Sequence, residues 1–398
     1  MGTKPRGGAA LVLLVGVPLS LSAQRLAVRA DTVLPMSGPP IPDGVVLVEG
    51  RRIVAVGPAS QVRIPEGARV LRGRIATPGL IDAHATVGLS GLYNVPHDQD
   101  QLDRTDPIQP ELRAVDGYNP HEALVAWLRS FGVTTVHTGH GPGALISGQT
   151  MVVKTVTPLR PEAVLDSAAM VAATLGASVG RTFRSPGTRP KGVAMLRARL
   201  LEAQTYLRQP RERNLRLEAL AAVLRGEMPL LVTAHTATDI ANALRLQQEF
   251  GFRLVLDGAA DAPLMLEEIR RAGVPVILHP TMIRPVDEAI NASVETAARL
   301  RQAGVLFALQ SGYEPYVPKT RVVLFEAAMA YGYGLARDDA LRAITLDAAR
   351  ILGVADRIGS LEVGKDADIV LFDGNPLEQT SHVCAVVLNG QVVSETCR

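Results

Sequence analysis

The chain of 398 residues is 47% hydrophobic, 20% charged and only 4% aromatic, which is enough apolar content for a sizeable core and excludes a disordered or fibrous protein. Lys and Arg number 41 against 39 for Asp and Glu, with no basic block, so nucleic acid is not an expected partner. The length admits two or three domains of ~100–200 residues, or one large α/β barrel with an appendage.

Lys4 and Arg6 precede the apolar run 9–21, and Leu21-Ser22-Ala23 closes it with a small residue. This is the pattern of a secretory signal peptide, and the run is shorter than the ~20 residues needed to span a membrane. Residues 1–23 are therefore expected to be removed. The mature protein is expected to be periplasmic or extracellular, with no membrane span. It keeps 39 charges of each sign, so steering of a charged partner is not expected.

Residues 24–78 read as short strands with turns, at 45–49, 52–56 and 70–76. After Pro78-Gly79 short apolar runs alternate with amphipathic helices. The runs are 80–83, 133–137, 151–156, 230–233, 253–256, 274–278 and 305–309, with an eighth at 167–175; the helices include 122–131, 239–250 and 264–272. Strands alternating with helices predict βαβ units and a parallel sheet. Eight units over residues 79–352 match the size of a (β/α)8 TIM barrel. The stretch 177–192, rich in Gly, Pro and Arg, reads as a mobile loop. From 353 to 398 short strands return. The two terminal β pieces are each too small to bury a core and are expected to join as one composite β-sandwich domain.

Cys384 and Cys397 are the only cysteines and flank a hairpin around Asn389-Gly390. In an oxidising compartment they are placed either to bridge or to remain two thiols, with their diagonal spacing at the limit for a disulfide.

Catalytic groups of a barrel sit at the C-terminal ends of its strands. Those ends read Asp82-Ala83-His84-Ala85-Thr86, His137-Thr138-Gly139-His140, Val153-Lys154-Thr155, Thr233-Ala234-His235, Leu256-Asp257-Gly258, Leu278-His279-Pro280 and Leu309-Gln310-Ser311-Gly312. Five of eight histidines, with Lys154 and Asp257, thus fall on a single rim, which points to a metal or polar catalytic site. His137, His140 and His279 are also readable as hydrogen-bonded structural histidines. The loop from His97 to Asp106 carries Asp98, Asp100, Asp103 and Asp106 but lacks the glycine and glutamate of a calcium loop, and reads as a solvated cap. The glycines at 139, 141, 143 and 148 are placed to offer backbone N–H groups to an oxyanion or carboxylate, without the Lys-Ser/Thr of a phosphate loop. No Gly-x-Ser-x-Gly elbow occurs.

Thr77-Pro78-Gly79-Leu80-Ile81-Asp82-Ala83-His84, the segment 340–353 and Ile358-Gly359-Ser360-Leu361-Glu362-Val363-Gly364-Lys365-Asp366-Ala367-Asp368-Ile369-Val370 resemble the amidohydrolase superfamily, most nearly its imidazolonepropionase-like exported branch. The resemblance implies a metal-dependent hydrolase barrel with a split β-sandwich, acting on C–N bonds of amides or small peptides. It implies His84 and His235 as metal ligands, with zinc the first candidate. Thr86 stands where the family has a second strand-one histidine, Asp257 where it has a strand-six histidine, and Gln310-Ser311-Gly312 offers no strand-eight carboxylate. Lys154 lies on an earlier strand than the family's bridging lysine.

Two readings follow. In one, a single divalent ion on His84 and His235 polarises a carbonyl, Asp257 or His137 handles the proton, and His140, His279 and Lys154 line the substrate pocket. In the other, the metal is lost and the fold serves as a non-catalytic binding protein, alone, as a homo-oligomer or as partner to an active relative.

Overall fold

The computed structural model describes Gly2 and residues 25–397 apart from 94, 210–211, 282 and 314–321; apart from Gly2, the expected leader 1–23 lies outside them. The N-terminal strands are β1 (Arg25–Val33), β2 (Ile41–Glu49), β3 (Arg52–Pro58) and β4 (Arg69–Pro78). The central strands are β5 (Leu80–Ala85), β6 (Val133–Thr138), β7 (Ile146–Gln149), β8 (Met151–Lys154), β9 (Val164–Asp166), β10 (Val171–Thr174), β11 (Leu230–Ala234), β12 (Leu254–Gly258), β13 (Val276–Leu278) and β14 (Phe307–Leu309). The chain closes with β15 (Ile369–Phe372), β16 (Val383–Leu388) and β17 (Gln391–Ser394).

The two terminal β pieces do join. Their strands form one seven-stranded sheet in the order β17-β16-β15-β4-β1-β2-β3, and β15 pairs antiparallel with β4, Leu371 opposite Ala76. Among the described residues this is a single continuous sheet, where two facing sheets were expected. The alternation of a strand explains how it serves two cores. Ile369 and Leu371 face a cluster with Leu26, Val28, Val46 and Val48, while Val370 and Phe372 face the central α/β body. At the hairpin, Asn389 (φ 51°) and Gly390 (φ 74°) both take the left-handed conformation of the favoured two-residue turn. Cys384 and Cys397 are joined as a disulfide.

In the central body β10, β11, β12, β13 and β14 run parallel in order, and β5 runs parallel to β6. The helices between them bury one face as the spacing predicts. Ala237–Phe250 is capped by the Thr236 hydroxyl, ends at left-handed Gly251 and buries Ile240, Ala243, Leu246 and Phe250. The expected mobile loop 177–192 is partly helical, with helices at Ala177–Thr182 and from Arg189 to Arg208. Glu288 accepts from the Ala177 and Ser178 N–H groups and from Arg189, which pins it.

The third predicted strand departs from the parallel pattern. Residues 146–154 run antiparallel to both neighbours: β7 pairs with β10 and β8 with β6, Thr135 opposite Lys154. Only residues 139–145 separate β6 from β7, and a parallel return needs a crossover of a dozen or more. A short link can only turn back. Lys154 therefore lies at the opposite end of the body from the rim, against the composite sheet. It is fully buried, with Nζ 2.8 Å from Asp366 Oδ2, 2.8 Å from Asp368 Oδ2 and hydrogen-bonded to Asn389. Its expected place in a substrate pocket is corrected: it is an ion-pair link between the two parts of the fold.

Removing the lysine leaves Asp366 with Arg52 and Arg357 but strips Asp368 of its cation. Lys154→Met is expected to lower the unfolding free energy by about 3–5 kcal/mol in urea melts. A loss within 0.5 kcal/mol or so would mean that the cluster carries no net stability.

Candidate functional site

The C-terminal ends of the parallel strands converge on Asp257. β12 carries this carboxylate into the interior, where no water solvates it, and three donors take water's place. His84 Nδ1 lies 3.0 Å from Oδ1, Gln310 Nε2 donates to Oδ1 at 2.8 Å, and Thr233 Oγ1 donates to Oδ2 at 2.6 Å. Burial opposes the ionised form, yet His84, Thr233 and Gln310 together hold the Asp257 pKa below the ordinary carboxylate value. The His84 ring is displaced the other way. Burial disfavours its cation, but the Asp257 charge and hydrogen bond, with Asp82 and the nearby His140 carbonyl, raise its pKa.

Asp82 stands two residues before His84 on β5. It accepts from the Ser311 N–H at 3.0 Å and from the Ser311 hydroxyl, and burial pushes its pKa up to about 6. Gly312 donates its N–H to the His84 carbonyl, and a parallel bridge joins Ala85 to Gly312. The C-terminal end of β5 is thereby locked to residues just after β14.

His235, on the residue after β11, reaches over the end of β12. A Cβ at Gly258 would stand 2.6 Å from its ring, so glycine is required there. His235 Nδ1 has no hydrogen bond, and burial lowers its pKa. With Thr233, Tyr313, Arg181 and Glu288 it lines a cavity of about 380 Å³. The Tyr313 ring lies 5.4 Å from that of His84, between the cavity and the buried pair. His279 donates its backbone N–H to the Gly258 carbonyl at 3.0 Å. Its Nδ1 sits 2.9 Å from the Pro280 carbonyl, Nε2 is unpaired, and burial lowers its pKa to about 4.

The rim thus gathers His84, Asp257, His235 and His279 around the end of β12. His137 stands beside them, its ring 5.5 Å from that of His84, whereas His140 and Lys154 turn elsewhere. His137 has both nitrogens committed, Nδ1 to the Ala83 carbonyl at 2.6 Å and Nε2 to the Thr150 hydroxyl at 2.7 Å, and burial lowers its pKa to about 3. Its expected role as a proton carrier is corrected, since neither nitrogen is free to exchange a proton near neutral pH. His140 turns into a different cavity, and Lys154 lies at the far end. Nor is the glycine-rich turn an anion cradle: the N–H groups of Gly139, Gly141 and Gly143 go to Ala85, Gln101 and Thr174. Asp82, Thr233, Gln310, Ser311 and Tyr313 belong to the site without having been singled out. Asp82 was signalled by its two-residue spacing from His84, which places both on one face of a strand.

A family model described as the amidohydrolase family matches residues 227–394. The amidohydrolase structure from Thermotoga maritima MSB8 superposes with a TM-score of 0.87 at 29% identity, covering 93% of this chain and all of that one. Together these likenesses support the amidohydrolase superfamily. Amidohydrolase tasK of Hapsidospora irregularis is 28% identical over 84% of the chain, which spans only 38% of that relative's length. The imidazolonepropionase of Fusobacterium nucleatum subsp. nucleatum is 23% identical, covering 88% of this chain and 91% of the relative.

Amidohydrolases are typically metal-dependent, so the donor set must be tested for fit. His84 and His279 each have Nδ1 held and Nε2 unpaired, the orientation of a metal-binding imidazole. The ensemble does not fit. Among the described residues the only three His, Cys, Asp or Glu with ligand atoms within 4.8 Å of one another are Asp373, Cys384 and Cys397, two of which are consumed by the disulfide. Both Asp257 oxygens are taken, and Gln310 supplies an amide where a carboxylate would be needed. A centre of three or more protein ligands is not assembled at the rim.

The buried histidines set the pH response. His137, His140 and His279 resist protonation when folded but titrate near 6.5 when unfolded, so the unfolded state takes up protons first as pH falls. Asp82 and His84, with raised values, oppose this. The unfolding free energy is expected to drop by roughly 2–4 kcal/mol between about pH 7.5 and 5.5 in urea melts. A flat or rising profile would contradict this assignment of buried neutral imidazoles.

Proposed function

We propose that the cavity beside His235 binds a small amide- or peptide-like molecule, and that the chain acts as a binding member of its superfamily without a metal-dependent hydrolytic step. The observation that carries this reading is the engagement of both Asp257 oxygens by protein donors, Oδ1 by His84 and Gln310 and Oδ2 by Thr233, which fills three of its roughly four acceptor positions. With Nδ1 buried, the neutral His235 imidazole can offer one polar contact to an amide in the pocket. The relatives named amidohydrolase and imidazolonepropionase support the substrate class. In this reading the two central sheets close into one eight-stranded barrel, supported by the pairing of 146–154 on both edges and by the Ala85–Gly312 bridge. Export is part of the proposal, supported by the leader pattern and by the disulfide, which persists in oxidising compartments.

A second reading is favoured by the unpaired nitrogens of His84 and His235: hydrolysis of a C–N bond at an altered centre holding one divalent ion, zinc first. Metal analysis of protein purified without chelator, together with calorimetric titration of small amides and dipeptides, separates the two. We expect less than about a tenth of an equivalent of metal per chain and no turnover. We also expect saturable amide binding that weakens roughly tenfold or more in His235→Ala. Near-stoichiometric metal that is lost in His84→Ala, with turnover, would establish the second reading instead.

A further inference from the structure

Three neighbouring strands of the composite sheet meet around the disulfide. Asp373 directly follows β15, Cys384 lies on β16 and Cys397 follows β17, and the three strands are adjacent in the sheet. Cys384 is the extra residue of a bulge. Leu371 stands opposite Ala385 and Phe372 opposite Val383, so Cys384 has no counterpart across the ladder. A bulge re-aims a side chain, and this one turns Cys384 towards the returning end of the chain.

The Asp373 carboxylate stands beside both sulfurs. One of its oxygens and the two Sγ atoms all lie within 4.8 Å of one another. His382 fixes it there: the backbone N–H donates to Oδ1 at 2.6 Å, and Nδ1 lies 2.8 Å from Oδ2. These contacts, the backbone one first, hold the Asp373 pKa below the ordinary carboxylate value. An imidazole hydrogen-bonded to a carboxylate is the outer pairing that orients a metal ligand. The donors are also within reach of solvent, since Cys397 and the Asp373 side chain are exposed and Cys384 is half-buried.

Once reduced, the pair would supply two soft thiolates beside a hard carboxylate, a donor set suited to zinc. Zinc at ~2.3 Å from each sulfur and ~2.1 Å from oxygen needs ligand atoms roughly 3.5–4 Å apart, inside the span these atoms already occupy. Without an ion, the Asp373 charge opposes formation of either thiolate, so a divalent cation is what the reduced cluster lacks.

We propose that Cys384, Cys397 and Asp373 form a zinc site in the reduced chain, with water as fourth ligand and His382 as the positioning residue. The disulfide and the ion are then alternative occupants of one place. A dithiol reductant gives two electrons and two protons to the Cys384–Cys397 bond and is itself oxidised to a disulfide. The ion then displaces both thiol protons to solvent.

The test is reduction of the full-length protein by a phosphine in the absence of oxygen, removal of the phosphine, and titration with zinc chloride against a chromophoric chelator. About one zinc per chain is expected in the reduced protein and less than about a tenth in the disulfide form. Asp373→Ala is expected to weaken binding roughly tenfold or more while both thiols remain titratable. Cys397→Ser is expected to abolish binding, with a thermal melt to show that the fold is kept. Cobalt in place of zinc is expected to give a thiolate-to-metal charge-transfer band. His84→Ala is expected to leave uptake unchanged, so this site would not be confused with an ion at the rim. No zinc uptake with two free thiols counted, equal uptake by the disulfide form, affinity unchanged in Asp373→Ala, or uptake lost in His84→Ala would each overturn the proposal.

Discussion

The rim depends on one buried carboxylate. Asp257 could not remain ionised in a dry interior without donors, and the three it has come from three other strand ends: His84 on β5, Thr233 on β11 and Gln310 beyond β14. That single requirement orients the His84 imidazole, sets the spacing of four strand ends and decides what the rim can hold. An oxygen that accepts from an imidazole and an amide has no lone pair directed at an ion. The same contacts that give this fold a rigid rim remove the donor geometry that a metal would need.

The reversed segment 146–154 has comparable reach. By turning back after β6 it carries Lys154 to the far end, where the lysine ties the central body to the composite sheet. It also brings Thr150 against His137, which closes that imidazole, and Gly148 against His140, which opens a cavity on the other side of the turn. One strand direction thus sorts two histidines and a lysine into three different roles.

Much of this was legible in the sequence, and the failures have a common physical cause. The apolar runs located the strands, and the end motifs located the junction at Pro78 and the shared β sheet, because burial and period depend only on local residues. The Asn389-Gly390 turn was legible for the same reason. Strand direction was not read from composition, although the short link 139–145 carried the signal. Lys154 was therefore assigned to the wrong surroundings, while His137 stands at the rim beside His84 but has both nitrogens committed. Asp257 was recognised as an oxygen donor at the rim, but whether its lone pairs would face an ion or Gln310 depends on residues far apart in the chain. Gln310 was read for the carboxylate it lacks, and its amide proved to be the informative group.

The most direct measurement is a crystal grown in millimolar zinc, with diffraction recorded at the zinc edge. The account predicts that the His84–Asp257 hydrogen bond stays near 3.0 Å and that no anomalous peak appears between His84 and His235. A zinc ion bound by both imidazoles, with Asp257 drawn away from His84 to join it, would contradict the account.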